Sequence, residues 1–183
     1  MIAPDQRGYG RTTGWSADYD TDLAPFRMPN LVRDQLALLH ALGLARVHAV
    51  VGHDFGSPVA AWCALIRPDV FPRVAMMSSP FAGPPGWAAS VRDPVHDDLA
   101  ALSPPRKHYQ WYYATRPANA DMLHAPQGLH AFLRAYYHQK SGDWPGNLPF
   151  ELAGWTAAEL AKLPDYYVCL LYTSDAADDL LCV

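Results

Sequence analysis

The run Val50-Val51-Gly52-His53-Asp54-Phe55-Gly56-Ser57 constrains the fold of this chain more than any other stretch. A β-branched segment, residues 47–51, leads into it, and an Ala-rich segment over residues 56–67 leaves it and stops before Pro68. The order strand, tight turn, helix puts Asp54 at the apex, with a glycine two residues away on each side. A residue at such an apex is held in a strained conformation, and side chains at Gly52 and Gly56 are expected to clash with the turn. The turn lifts the apex side chain above the end of the strand, where N–H groups of the helix start also point. A carboxylate in that place needs no base to activate it, and it suits displacement at an sp³ carbon through an ester. The competing reading makes Asp54 a simple helix cap. The strand before it and the small-residue helix after it favour a nucleophile elbow. Alternation along the strand is expected to turn His53 away from Asp54, as a structural histidine.

Around this turn the chain alternates strand and helix. Residues 2–5 are expected to form a short strand and residues 6–15 a loop. Asn30 is expected to cap a helix ending near Leu42, with Gly43 just past it. Residues 47–51 predict a buried parallel strand, residues 56–67 a helix and residues 74–77 another strand. This alternation argues for an α/β fold with a parallel sheet. After Ser79 the composition turns to Pro and Gly and then to helices rich in Tyr and Trp, with no further strand expected before the tail. Ser103 is expected to cap a helix through Tyr112, Asn119 to open a short one, and residues 126–138 and 156–163 to form two more. The organisation expected is therefore a partial α/β core over residues 1–79, a helical cap over 80–168 and a tail over 169–183.

Lys and Arg number 14 against 18 Asp and Glu, a net charge of −4 without basic clusters, which argues against nucleic-acid and membrane partners. The cysteines, Cys63, Cys169 and Cys182, form neither a disulfide framework nor a metal-ligand spacing. No metal and no cofactor is expected, and a reducing, cytoplasmic setting fits the cysteine usage.

The resemblance extends beyond the turn. Ala3-Pro4-Asp5-Gln6-Arg7-Gly8-Tyr9-Gly10 resembles the segment that precedes the elbow in epoxide hydrolases and haloalkane dehalogenases of the α/β-hydrolase superfamily. Gly52-His53-Asp54-Phe55-Gly56 is similar to their elbow, and His108-Tyr109-Gln110-Trp111-Tyr112-Tyr113 resembles the epoxide-hydrolase cap segment that carries a ring-opening tyrosine. The resemblance implies Asp54 as nucleophile on an epoxide carbon, Tyr109 as hydrogen-bond donor to the epoxide oxygen, and the Phe55 backbone N–H as half of an oxyanion hole. The implied partner is a small apolar epoxide-like substrate. Arg7, Arg11, Trp87 and Trp144 have good structural roles and are given no chemistry. Two alternatives stand beside this reading. Haloalkane dehalogenases hold the leaving halide with an indole N–H beside the nucleophile, which Phe55 lacks. A hydrolase-like protein that binds without catalysis is the other.

The pattern also departs from the family. A His-Gly-x-Pro oxyanion loop, a second cap tyrosine, the general-base His and its acid are not found, so the chain is expected to be part of a longer enzyme, inactive in turnover. With residues 2–5 as the fourth strand and 47–51 as the fifth, the strand between them is missing. The elbow strand is then expected to expose an apolar edge and the chain to fold poorly. Residues 169–179 resemble a translated sequencing adapter, and the tail is expected to carry no function.

Overall fold

The computed structural model describes residues 1–84 and 93–170, the last two by backbone alone. The chain forms two compact units, Met1–Gly86 and Trp87–Val183. Trp87 and the tail beyond Leu170 lie outside the described residues.

In the first unit a single 3-10 turn, Ala24–Phe26, precedes helix α1, Met28–Ala41. Its start lies three residues ahead of the position expected, with Arg27 rather than Asn30 as the N-cap. Pro29 sits in the first turn, where its missing N–H costs nothing. Asn30 is therefore inside the helix, and its side chain donates back to the Ala24 carbonyl at 2.7 Å instead of capping. The other end is as expected. Gly43 takes φ +68, and the Gly43 and Leu44 N–H groups bond to the His40 and Leu39 carbonyls, closing the helix as a Schellman motif.

Strand β1, Val50–His53, helix α2, Gly56–Ile66, and strand β2, Val74–Met77, form a strand–helix–strand unit. The two strands pair in parallel, Val50 opposite Val74 and His53 opposite Met77. β1 starts three residues later than expected, because its ladder begins only where β2 lies alongside; ahead of it, Val47 N–H is bonded to the Val70 carbonyl. Nor is the strand fully buried. Val51 is 60% exposed, and Val74, Met76 and Met77 are exposed as well. Among the described residues β1 pairs along one edge only. Residues 2–5 form no strand. Among the described residues no strand pairs with them, and Asp5 is instead tied to the following loop, accepting from the Arg11 N–H while its carbonyl accepts from the Thr12 hydroxyl. The core lies between α1 and α2: Leu31, Val32, Leu39, Val59, Cys63, Val70 and Phe71. Each fully buried aliphatic side chain there contributes about 1.5–3 kcal/mol.

The second unit holds helices α3, Val95–Ala100, α4, Tyr109–Tyr113, α5, Ala118–Leu123, α6, Leu129–Gln139, and α7, Ala157–Leu160. Strand β3, Arg106–His108, pairs antiparallel with β4, Val168–Leu170. This corrects the expectation of a helix capped by Ser103. Pro105 disfavours the α conformation at Pro104, so the helix starts only at Tyr109 and the residues between form a strand. β4 takes in Cys169 and Leu170, the first two residues of the segment set apart as tail. Val95, Leu99, Leu160 and Val168 form the packed centre of this unit.

Candidate active site

Asp54 sits between β1 and α2 with φ +49, one of two non-glycine residues in the left-handed region among those described. That conformation costs on the order of 1–3 kcal/mol and persists only where the surroundings enforce it. Three features enforce it here. The Asp54 N–H donates to the Met77 carbonyl at 3.0 Å, and the Ser57 N–H returns to the Asp54 carbonyl at 3.0 Å. The Ser57 hydroxyl, fully buried, lies 2.9 Å from the Gly52 carbonyl and 2.8 Å from the Met77 carbonyl, and accepts from the Met77 N–H at 3.1 Å. Gly52 packs so closely that a Cβ would run into the Gly56 carbonyl and lie 2.7 Å from the Ser57 nitrogen. The steric expectation thus holds at Gly52 but not at Gly56. A Cβ on Gly56 would meet only the Gln6 amide nitrogen, at 3.8 Å, an ordinary contact.

The carboxylate of Asp54 is exposed, and one oxygen, Oδ2, accepts from the Phe55 N–H at 2.6 Å. Among the described residues Oδ1 accepts nothing. The two groups singled out in the turn are thereby brought together. They open on a cleft of about 320 Å³, shared with Asp5, Gln6, Tyr9 and His53. His53, expected to face away from Asp54, is exposed at the end of β1 and is among the residues that line the same cleft. Gln6 was not singled out by sequence. Its Oε1 is buried with no partner among the described residues, and its position follows from the loop that Asp5 ties down. A larger cavity of this unit, about 460 Å³, lies around Arg7, Asp22, Asn30 and Asp34. Size does not make it the site, because its principal charges satisfy each other: Arg7 grips Asp34 through two bonds of 2.6 and 2.8 Å.

Tyr109 belongs to the second unit, at the first position of α4. Its N–H donates to the Tyr167 carbonyl at 2.8 Å, and its ring lies against His108, Tyr167 and Tyr113 with centroids 4.9, 5.4 and 5.6 Å away. Burial pushes its phenol above the ordinary tyrosine range, so it stays protonated, as a donor, at neutral pH. Lys140, which the sequence reading passed over, lies in the same aromatic cluster; the Tyr136–Lys140 spacing of four along α6 is the signal that could have found it. His108 is buried, its Nδ1 has no partner among the described residues, and burial together with the charge of His96 holds its pKa below the usual imidazole value. Among the described residues no cluster of three His, Cys, Asp or Glu could hold a metal ion.

Comparison with known proteins gives a consistent picture. The family model for the alpha/beta hydrolase fold matches residues 1–153. Epoxide hydrolase B of Mycobacterium tuberculosis (strain ATCC 25618 / H37Rv) is 38% identical over 148 residues, covering 78% of this chain and 39% of that protein. An epoxide hydrolase of Caballeronia sordidicola is 42% identical over 80 residues, covering 44% of this chain and 22% of that protein. Among solved structures, an epoxide hydrolase from an endophytic Streptomyces superposes with a TM-score of 0.57 at 33% identity, over 79% of this chain and 39% of that one. The chain thus spans about two fifths of the length of the Mycobacterium and Streptomyces relatives.

Proposed function

Because the chain belongs to the α/β-hydrolase family and is epoxide-hydrolase-like, we propose that it carries the nucleophilic half of an epoxide hydrolase, with Asp54 forming an ester to an epoxide carbon. The observation that carries this reading is the divided carboxylate of Asp54. Oδ2 is held by the Phe55 N–H, while Oδ1 accepts no hydrogen bond among the described residues, and Asp54 lines the cleft. Oδ1 attacks the ring carbon from the side opposite the C–O bond, and that bond breaks as the new one forms. The electron pair goes to the ring oxygen, which takes a proton from a general acid; the resemblance to the epoxide-hydrolase cap segment gives that role to Tyr109, whose phenolate solvent reprotonates. Oδ2 becomes the carbonyl oxygen of the ester, already resting on a donor suited to stabilise negative charge when the ester is attacked. The strained turn serves this chemistry by fixing which oxygen is free.

The reading assigns no residue of the chain to the base that would activate water against the ester. One covalent event per chain is therefore the expected outcome, not sustained turnover. The test is the intact mass of the full chain after incubation with a small aryl epoxide. The reading expects a gain equal to the whole epoxide, since ring opening loses no atoms, and no gain for Asp54→Asn. A haloalkane that leaves an alkyl group and releases halide, with the epoxide inert, would move the assignment to a dehalogenase. No adduct from either would favour binding without catalysis.

A further inference from the structure

We propose that Lys140 is a positioning residue for Tyr109: its ammonium, boxed by tyrosine rings, strengthens the Tyr109 hydroxyl as a proton donor. This rests on the reading that Tyr109 serves the substrate oxygen. Lys140 follows the last residue of α6, one turn beyond Tyr136. Its Nζ donates to the Tyr136 hydroxyl at 3.0 Å. It lies 4.6 Å from the Tyr136 ring centroid, 5.2 Å from that of Tyr167 and 5.4 Å from that of Tyr166. Tyr136 and Tyr166 are buried. Tyr167, one wall of this box, is the residue on which both the backbone and the ring of Tyr109 rest. Among the described residues no carboxylate lies within 4 Å of Nζ.

A partly buried ammonium without a carboxylate partner acts on whatever polar groups surround it, and here those are phenols. Burial works against the Lys140 charge, but the bond to Tyr136 and the phenols of Tyr136, Tyr167 and Tyr109 outweigh it and raise its pKa, so the group stays charged. For Tyr109, burial and the phenols of Tyr167 and Tyr136 push upward, while the Gln110 side chain and the Lys140 charge pull downward. His108 and Tyr113 complete the surroundings of the Tyr109 ring. The effect of Lys140 grows when it matters. As Tyr109 gives its proton to the opening ring, negative charge gathers on its oxygen in the field of a cation already in place. A cation–π contact that merely staples the end of α6 would not act on Tyr109 in this way.

The experiment labels the full chain with 3-fluorotyrosine and follows each phenol by ¹⁹F NMR against pH, with Tyr109→Phe identifying the signal. In Lys140→Met the Tyr109 midpoint is expected to move to higher pH, and in Lys140→Arg to stay near that of the unsubstituted chain. Tyr9, in the other unit, serves as the reference that does not move. Lys140→Gln is a second neutral replacement, read the same way should the Met variant not fold. An unmoved midpoint in the neutral variants, or an Arg variant displaced as far as they are, overturns the proposal. Failure of Asp54 to form an ester in the unsubstituted chain would overturn the proposed function, yet leave this coupling to be read on its own.

Discussion

Adding one methyl group at either glycine of the turn separates the reasoning about the elbow from a general dislike of larger residues there. At Gly52 the new Cβ meets backbone, lying 2.7 Å from the Ser57 nitrogen and closer still to the Gly56 carbonyl. Backbone cannot swing aside as a flexible side chain can. Relief requires a separation of α2 from β1 by on the order of 1 Å, and overpacking of this kind costs about 1–3 kcal/mol. At Gly56, the first residue of α2, the same methyl group finds 3.8 Å of room beside Gln6, so no clash opposes it. The assay is amide exchange of the peptide spanning residues 50–57, followed by mass spectrometry. At 1.36 kcal/mol per tenfold, Gly52→Ala should exchange roughly five- to 150-fold faster. Gly56→Ala should exchange no faster than the unsubstituted chain. Equal effects of the two substitutions would refute the steric account of the turn.

Three further outcomes follow from individual side chains. Ser57→Ala removes the acceptor of the Met77 N–H and the hydroxyl that binds the Gly52 and Met77 carbonyls; urea unfolding of the first unit should show a loss of about 1–3 kcal/mol. Burial raises the Cys63 thiol to about 11, so at pH 8 it should resist iodoacetamide in the folded chain and react only on unfolding; rapid labelling without unfolding would contradict its burial. His108 has a depressed folded pKa, caused first by burial and then by the charge of His96. The unfolded chain therefore binds the extra proton first, and stability of the second unit should fall as pH drops below about 6.5 toward the folded value. His108→Gln should flatten that fall in a pH series of thermal unfolding.

Much of the first unit was legible because local chemistry decides it. Pro68 ends α2, Gly43 closes α1 through its left-handed φ, and the glycine at 52 permits the close turn under Asp54. What was misplaced depends on neighbours distant in sequence. The start of β1 is set by where β2 lies beside it, and residues 2–5 form no strand, with no partner strand beside them among the described residues. In the second unit, apolar spacing found α6, and Thr156, whose Oγ1 accepts from the Glu159 N–H, marked the start of α7. The spacing missed β3, since three residues beside Val168–Leu170 have no period of their own to read. The candidate residues Asp54 and Phe55 in the first unit, and Tyr109 in the second, could be named from motifs. Ser57, Gln6 and Lys140 could not, because their contacts are made across the fold: Ser57 to Met77, Gln6 over Gly56, Lys140 to Tyr166 and Tyr167.

His53 offers the sharpest competitor to Asp54, since an exposed imidazole on the same cleft can also be alkylated by an epoxide. The decisive measurement is therefore the position and chemistry of the adduct. After incubation of the full chain with an aryl epoxide, tandem mass spectrometry of the peptide covering residues 50–62 should place the added mass on Asp54. Brief treatment with hydroxylamine should remove that mass, as it cleaves an ester. An adduct on His53, stable to hydroxylamine and unchanged in Asp54→Asn, would contradict the assignment of Asp54 as the nucleophile.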